Sequence, residues 1–146
     1  MKILKYILLA LCMTTAVTVD AKSVKVPHVY MFGFSASFKD SIVYLTDIQD
    51  VQNVWLDQKT RFLLGRDNYS YQLKSYITEQ AHAADRVCMV MFAESKKKAE
   101  RLYLKLRKKY TTPGKKKKGQ QAALPYDVRY ITLQEFKFEP IDMSEE

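Results

Sequence analysis

The first 21 residues constrain the fold most, because they have the pattern of an export signal and hold one of the two cysteines. Two lysines precede an uncharged apolar stretch over residues 7–19, which is too short to cross about 30 Å of hydrocarbon as a permanent helix. We therefore expect a mature chain that begins near Lys22 and contains Cys88 as its single cysteine. Such a chain cannot form an intramolecular disulfide, so a packed core has to hold the domain together.

The signal pattern predicts export, either to the periplasm or to the outside of the cell. A lipoprotein signal that ends at Cys12 is disfavoured, because Leu11 is too large for the position before a lipidated cysteine. No transmembrane segment is expected in the mature chain. Apolar residues make up 47% of the sequence, while Gly and Pro contribute only four residues each. This composition predicts a folded domain rather than a disordered chain.

The sequence predicts three segments: a signal peptide over residues 1–21, a single α+β domain over 22–138 and an acidic, flexible tail over 139–146. The tail is assigned from its acidic composition and its terminal position.

The first half of the domain is predicted to begin with a β-hairpin. Residues 24–38 and 42–48 alternate as two strands, and Gly33 is expected to mark a bulge or a close backbone approach. Residues 49–69 lack a clear period, so a short irregular segment packed on the sheet is predicted there.

The second half is predicted to contain two helices and two strands. Apolar spacings of three and four predict helices over about residues 69–83 and 95–110. The near-continuous apolar run over 86–92 predicts a central strand covered on both faces, and residues 126–138 contain the last strand. The order is β-β-α-β-α-β, and the predicted fold class is α+β: two layers, with both helices on one face of a small mixed sheet. The two strands of the closing β-α-β unit should be parallel.

One face of the first predicted strand is aromatic and carries Tyr30, Phe32, Phe34 and Phe38. We interpret it as the core side under the helices, because the opposite face is too small to bury much area. The alternative is a groove in which these rings line a ligand site or stack on sugars or bases.

Positive charge is concentrated in one segment of the chain. The formal net charge is +8, and residues 96–118 alone hold twelve basic side chains against the single acid Glu100. The rest of the mature chain is therefore net acidic. Ten of the twelve basic residues are lysines, which favours diffuse charge contacts over the bidentate contacts that arginine makes.

These cations are the candidate site for an anion or an anionic partner. The second predicted helix directs its cations towards solvent, and the loop that follows adds four adjacent lysines. The candidates are Lys97, Lys98, Arg101, Lys105, Lys108, Lys109, Lys115, Lys116, Lys117 and Lys118. The expected partner is an anionic envelope polymer or lipid headgroups, or else a protein, and binding to a polyanion should weaken with salt.

The same charges also fit a purely solvating role that keeps the protein soluble. Cytoplasmic nucleic acid is not an expected partner, because the chain carries an export signal.

No residue pattern predicts a catalytic site, a metal site or a cofactor. His28 and His82 lack the spacing of metal ligands, and Cys88 lies in an apolar run that is typical of a buried thiol. The four glycines do not cluster as they do in a phosphate-binding loop.

Two segments, residues 38–49 (FKDSIVYLTDIQ) and 62–73 (FLLGRDNYSYQL), resemble parts of small uncharacterised exported proteins of the Bacteroidetes type. The resemblance extends over most of the mature chain and implies a Gram-negative envelope with a bacterial signal peptide. It implies no activity and no site residues.

The sequence leaves three functional hypotheses. The favoured one is an exported, non-catalytic envelope protein whose basic helix and loop contact an anionic surface or partner. The second is a protein-interaction or assembly subunit that uses a sheet edge or the aromatic strand. A hydrolase acting on envelope polymers is the least favoured, because it needs a concave site with convergent polar groups that the sequence does not show.

Overall fold

The computed structural model of the protein describes residues 22–114, 118–119 and 125–144, and the predicted signal peptide lies outside these ranges. In the described ranges the element order is β-β-β-α-β-α-β, with one strand more than predicted. The elements are β1 (Ser23–Ala36), β2 (Ile42–Thr46), β3 (Gln49–Asp57), α1 (Arg66–Gln80), β4 (Val87–Ala93), α2 (Lys96–Thr111) and β5 (Asp127–Ile131).

β1 is the central strand of a five-stranded mixed sheet. Tyr30 pairs with Asp50 of β3 and with Ala93 of β4, and Phe34 likewise pairs with both β2 and β4. β4 therefore lies along one edge of β1, while β2 and β3 share the other edge, and all three are antiparallel to β1. β5 runs parallel to β2, so β4 and β5 point the same way, as predicted. The α+β class and the mixed sheet are confirmed.

Gly33 lies where β2 passes into β3 through a bulge. Two residues of β1, Phe32 and Gly33, face three residues, 46–48, of the neighbouring chain. The Gly33 N–H donates to the Thr46 hydroxyl at 2.8 Å. Leu73 of α1 packs directly against Gly33. A Cβ added to Gly33 would lie only 2.5 Å from Leu73 Cδ2, so the position has no room for a larger residue unless Leu73 moves. The expectation of a bulge at Gly33 is thus confirmed, while the close approach there is made by side chains and not by another backbone.

Residues 49–57 form a strand, so the prediction of an irregular segment was wrong for this part of 49–69. The period of two breaks because Asn53 adopts a left-handed φ of 55°, which makes Val51 and Val54 the buried residues on either side. β1 changes phase at the facing residue, Pro27. Both strands therefore bury the same side, but neither keeps the strict alternation by which a strand is identified.

The two helices cover opposite faces of the sheet, and the prediction that they share one face was wrong. α1 packs Leu73 into the core that contains Met31. α2 packs Tyr103 edge-on against Phe32, with 5.3 Å between the ring centroids. Because successive strand residues point to opposite faces, Met31 and Phe32 direct these contacts to opposite sides. The domain therefore has three layers. Neither helix of the described ranges combines the length and apolar character of a membrane-crossing segment.

The aromatic face of β1 is core for only part of its predicted length. Phe32 and Phe34 are buried under α2, and Tyr30 is half-buried. Phe38 is fully exposed, because the strand ends at Ala36 and Phe38 lies in the turn that follows. The interpretation as core is correct for the strand and wrong for Phe38.

β4 is an edge strand, and the prediction of a central strand covered on both faces was wrong. Within the described residues β4 pairs only with β1. Val87 and Met89 are 56% and 41% exposed. On the same face, Met91 packs in the core under α2, so the helix covers only the later part of the apolar run. A short apolar run by itself does not distinguish a central strand from an edge strand that is covered along part of its length.

Residues 132–144 pack on the α1 side of the sheet, held in part by two glutamine side chains. Gln49 donates to the Phe136 carbonyl at 2.9 Å and accepts from the Phe138 N–H at 2.8 Å. Gln72 of α1 makes the same pair of hydrogen bonds with the backbone of Glu139, at 2.9 and 2.8 Å. Gln49 is buried, whereas the Gln72 pair is exposed.

The sequence predicted a flexible tail from residue 139, but the described part of that tail is packed. The Ile141 N–H donates to the Tyr69 hydroxyl at 3.1 Å. Met143 is buried and lies against Gly65, whose left-handed φ of 69° starts α1 at Arg66. The acidic composition concealed these apolar residues, and residues 139–144 belong to the folded domain.

Arg86 links the hairpin turn to the start of β4. Its guanidinium is almost fully buried, donates to both carboxylate oxygens of Asp40 at 3.0 and 2.9 Å, and also donates to the Ile42 carbonyl. The group lies 5.0 Å from the Tyr44 ring centroid. A buried charge with these partners favours one register of the hairpin against β4.

We expect Asp40 to make the protein less stable in acid. Hydrogen bonding to the Ile42 N–H, and then to Arg86, holds the pKa of Asp40 below its ordinary value of 3.8. A carboxyl whose pKa is lower in the folded state stabilises folding above its unfolded pKa, and this contribution is lost as the pH falls through the folded pKa. The free energy of unfolding, measured in urea, should therefore fall below about pH 4. The Asp40→Asn variant should show a shallower fall, and an unchanged slope would contradict the assignment.

Candidate functional site

The basic segment forms a regular helix because its apolar residues fall on one stripe. Ser95 caps α2 by accepting a hydrogen bond from the Lys98 N–H at 3.3 Å. Ala99 is fully buried, and Leu102 and Leu106 pack in the core around Phe32. Tyr103 and Tyr110 pack on the same side of the helix, and its cations are therefore directed away from this core.

A surface groove of about 440 Å³ lies between the end of β4 and one flank of α2. Its apolar lining comes from both elements. Its other lining residues are charged, and three of them are cations from α2. The lining residues are Phe92, Ala93, Glu94, Lys98, Arg101, Leu102 and Lys105.

Three of the predicted anion-contact residues meet at this groove. Lys98, Arg101 and Lys105 follow one another at spacings of three and four, so they lie along the same flank of α2. Together they extend over about 10 Å of the helix at 1.5 Å per residue. We call this row the groove cations.

The opposite flank of α2 carries a different pair of cations. Helical periodicity puts Lys96 and Arg107 there, and the Arg107 guanidinium lies 6.0 Å from the Tyr103 ring. This pair provides a charge-matched comparison for the groove cations.

The one acid of the groove, Glu94, is already paired with a residue from outside α2. Arg61 donates from Nε to Glu94 at 3.2 Å and donates a second hydrogen bond from its terminal nitrogen. This hydrogen bonding holds the pKa of Glu94 below its ordinary value. Within the described ranges, no ion pair within 4.0 Å involves a cation of α2. The groove therefore presents positive charge that the described part of the protein does not neutralise.

The first turn of α2 adds to this positive potential. It contains no acidic residue and begins with Lys96, Lys97 and Lys98. The N-terminal end of a helix carries a partial positive charge, so cations placed there are unfavourable for the helix itself. A bound anion would relieve this repulsion.

The remaining predicted contact residues are dispersed. Lys97 and Lys108 are exposed on the outward face of α2. Lys109 lies on the groove flank, one turn beyond Lys105. Its Nζ atom is 5.6 Å from the centroid of the Tyr110 ring. Lys118 is exposed, and residues 115–117 lie outside the described residues.

Sequence reasoning missed the groove's apolar lining and its Arg61–Glu94 pair. Phe92 packs against the core on the α1 side and Leu102 against the core under α2, so their meeting at this groove depends on how α2 crosses the end of β4. Arg61 is separated from Glu94 by 33 positions, so no local pattern indicates their contact.

Other reactive side chains lie apart from the groove. The Cys88 thiol donates to the Ser35 hydroxyl at 3.3 Å, and burial raises the pKa of Cys88, which opposes a role as a nucleophile. The Nδ1 atom of His28 lies 3.3 Å from a carboxylate oxygen of Asp50, and both side chains are partly exposed. In the described part of the chain, no group of three or more His, Cys, Asp and Glu side chains is arranged to hold a metal ion.

Comparisons with protein-family models, with curated proteins and with solved structures find no match to this chain.

Proposed function

We propose that the protein is a non-catalytic envelope protein that docks an anionic surface or polymer on the groove flank of α2. The main support for this proposal is that the groove cations lie beside Glu94, whose negative charge is already paired with Arg61. Anionic lipid headgroups and anionic envelope polymers share the chemistry that such a row attracts. The export pattern of residues 1–21 supports a location outside the cytoplasm.

Binding to anionic vesicles tests this proposal. The purified protein is sedimented with vesicles of phosphatidylglycerol mixed with phosphatidylcholine, over a series of salt concentrations. The variant Lys98→Gln with Lys105→Gln should bind about thirtyfold more weakly, because each cation near such a surface contributes about 1 kcal/mol. Binding of the unaltered protein should fall steeply with salt and be absent on pure phosphatidylcholine.

The control variant Lys96→Gln with Arg107→Gln removes the same charge from the opposite flank of α2. It should lose less than about threefold in affinity, since its cations do not face the groove. Equal losses in both variants would mean diffuse attraction to the whole basic helix. Unchanged binding in the groove variant would exclude the groove as the docking site.

A second candidate function, a protein-interaction subunit, is favoured by the edge of β4. Val87 and Met89 are exposed there, and the outer edge has no paired strand in the described residues. Such an edge can accept an extended segment of another protein by strand addition. This candidate predicts a co-purifying protein that survives high salt and is lost in a Met89→Lys variant. Dissociation of the co-purifying partner at moderate salt would contradict this second function.

A further inference from the structure

We infer that the groove beside α2 binds a single-chain lipid with a phosphate headgroup, so that the groove recognises an acyl chain as well as a charge. This inference rests on the proposed function and names the ligand class of the same site. It starts from the mixed character of the groove, which has apolar lining next to the groove cations.

The apolar part of the groove is not needed for attraction to a flat anionic surface. Phe92 and Leu102 are only partly buried, and both line the groove with Ala93. Inorganic phosphate would engage the cations and leave this lining in water. An acyl chain would cover it, and apolar area removed from water favours binding.

The charged part of the groove excludes a neutral apolar ligand as the best fit. Covering the lining with a chain that lacks a headgroup would bring apolar material beside Lys98, Arg101 and Lys105 without compensating their charge. A phosphate can accept two parallel hydrogen bonds from Arg101 while the lysines add charge. Charge complementarity therefore selects an anionic amphiphile.

The size of the groove suits one chain. Its volume of about 440 Å³ lies within the range of small-molecule sites. A phosphate with one chain of medium length is a ligand of this size class, whereas a two-chain lipid would leave most of its apolar surface outside.

Calorimetric titration of the purified protein with alkyl phosphates of increasing chain length tests the inference. Butyl, octyl and decyl phosphate are compared below their micelle concentrations, with inorganic phosphate and the neutral decyl maltoside as controls. We expect affinity to rise about fourfold for each methylene that enters the groove. Decyl maltoside should bind far more weakly than decyl phosphate.

Leu102→Gln should remove the dependence on chain length, and the series on the unaltered protein keeps the test independent of how this variant folds. Equal affinity for inorganic, butyl and decyl phosphate would overturn the acyl-chain inference and leave anionic docking intact. Equal affinity for decyl phosphate and decyl maltoside would also overturn it. Loss of salt-dependent vesicle binding in the unaltered protein would instead overturn the proposed function.

Discussion

Replacing Gln49 with alanine is expected to lower the free energy of unfolding by about 3 kcal/mol, because two buried backbone groups lose their hydrogen-bond partner. The Gln49 amide satisfies the Phe136 carbonyl and the Phe138 N–H in a site where the glutamine itself is 3% exposed. Water cannot easily replace the amide there. The loss should also loosen residues 136–144, which should become the first site of proteolysis.

Gln72 offers a matched control for this result. It makes the same two hydrogen bonds with Glu139, but in an exposed position where water can take over. Gln72→Ala should therefore cost less than about 1 kcal/mol. Urea denaturation of both variants measures the difference. Equal costs would show that burial of Gln49 is not what holds the C-terminal segment.

Replacing Leu73 with alanine is expected to cost about 3 kcal/mol, because the side chain is fully buried between α1 and the sheet. Gly33→Ala should cost about 2 kcal/mol, since the added Cβ would lie 2.5 Å from Leu73 Cδ2. The methyl group added at Gly33 and the Leu73 side chain would occupy the same volume, so the two costs are coupled. In the double variant the new methyl group occupies part of the cavity and the clash is absent, so the costs should fall short of their sum by about 1–2 kcal/mol.

A double-mutant cycle measured by urea denaturation tests this coupling. Leu104→Ala on α2 is the control, because Leu104 is 50% exposed and its truncation should cost less than about 0.5 kcal/mol. Additive costs of the Gly33 and Leu73 substitutions would contradict the close packing of α1 on β1.

The fold class could be predicted from sequence because most elements carry a clean period. The alternation in β1 and the apolar stripe of α2 each depend on local spacing, which the sequence displays directly. β3 was missed because its phase shift at Asn53 imitates an irregular segment. The face of the sheet on which each helix packs could not be predicted, because both faces of β1 carry buried residues. The path of the connections between strands and helices determines which helix covers which face.

The cations of the candidate site could be predicted from the sequence, but the groove beside them could not. A run of cations such as Lys98, Arg101 and Lys105 is visible in the sequence, and its solvent-facing direction follows from the helical period. Which flank meets an apolar groove depends on β4 being an edge strand beside α2. The neutralisation of Glu94 depends on Arg61, which arrives from the distant turn after β3. Contacts of this kind arise only once the sheet has formed.

Anion docking at the groove is tested most directly by the amide chemical shifts of the isotope-labelled protein during titration with short-chain phosphatidylglycerol. We expect the largest shift changes to fall on residues 92–105 and to disappear in the Lys98→Gln, Lys105→Gln variant. Changes of equal size around Lys96 and Arg107, or changes centred on the α1 face of the sheet, would contradict docking at the groove.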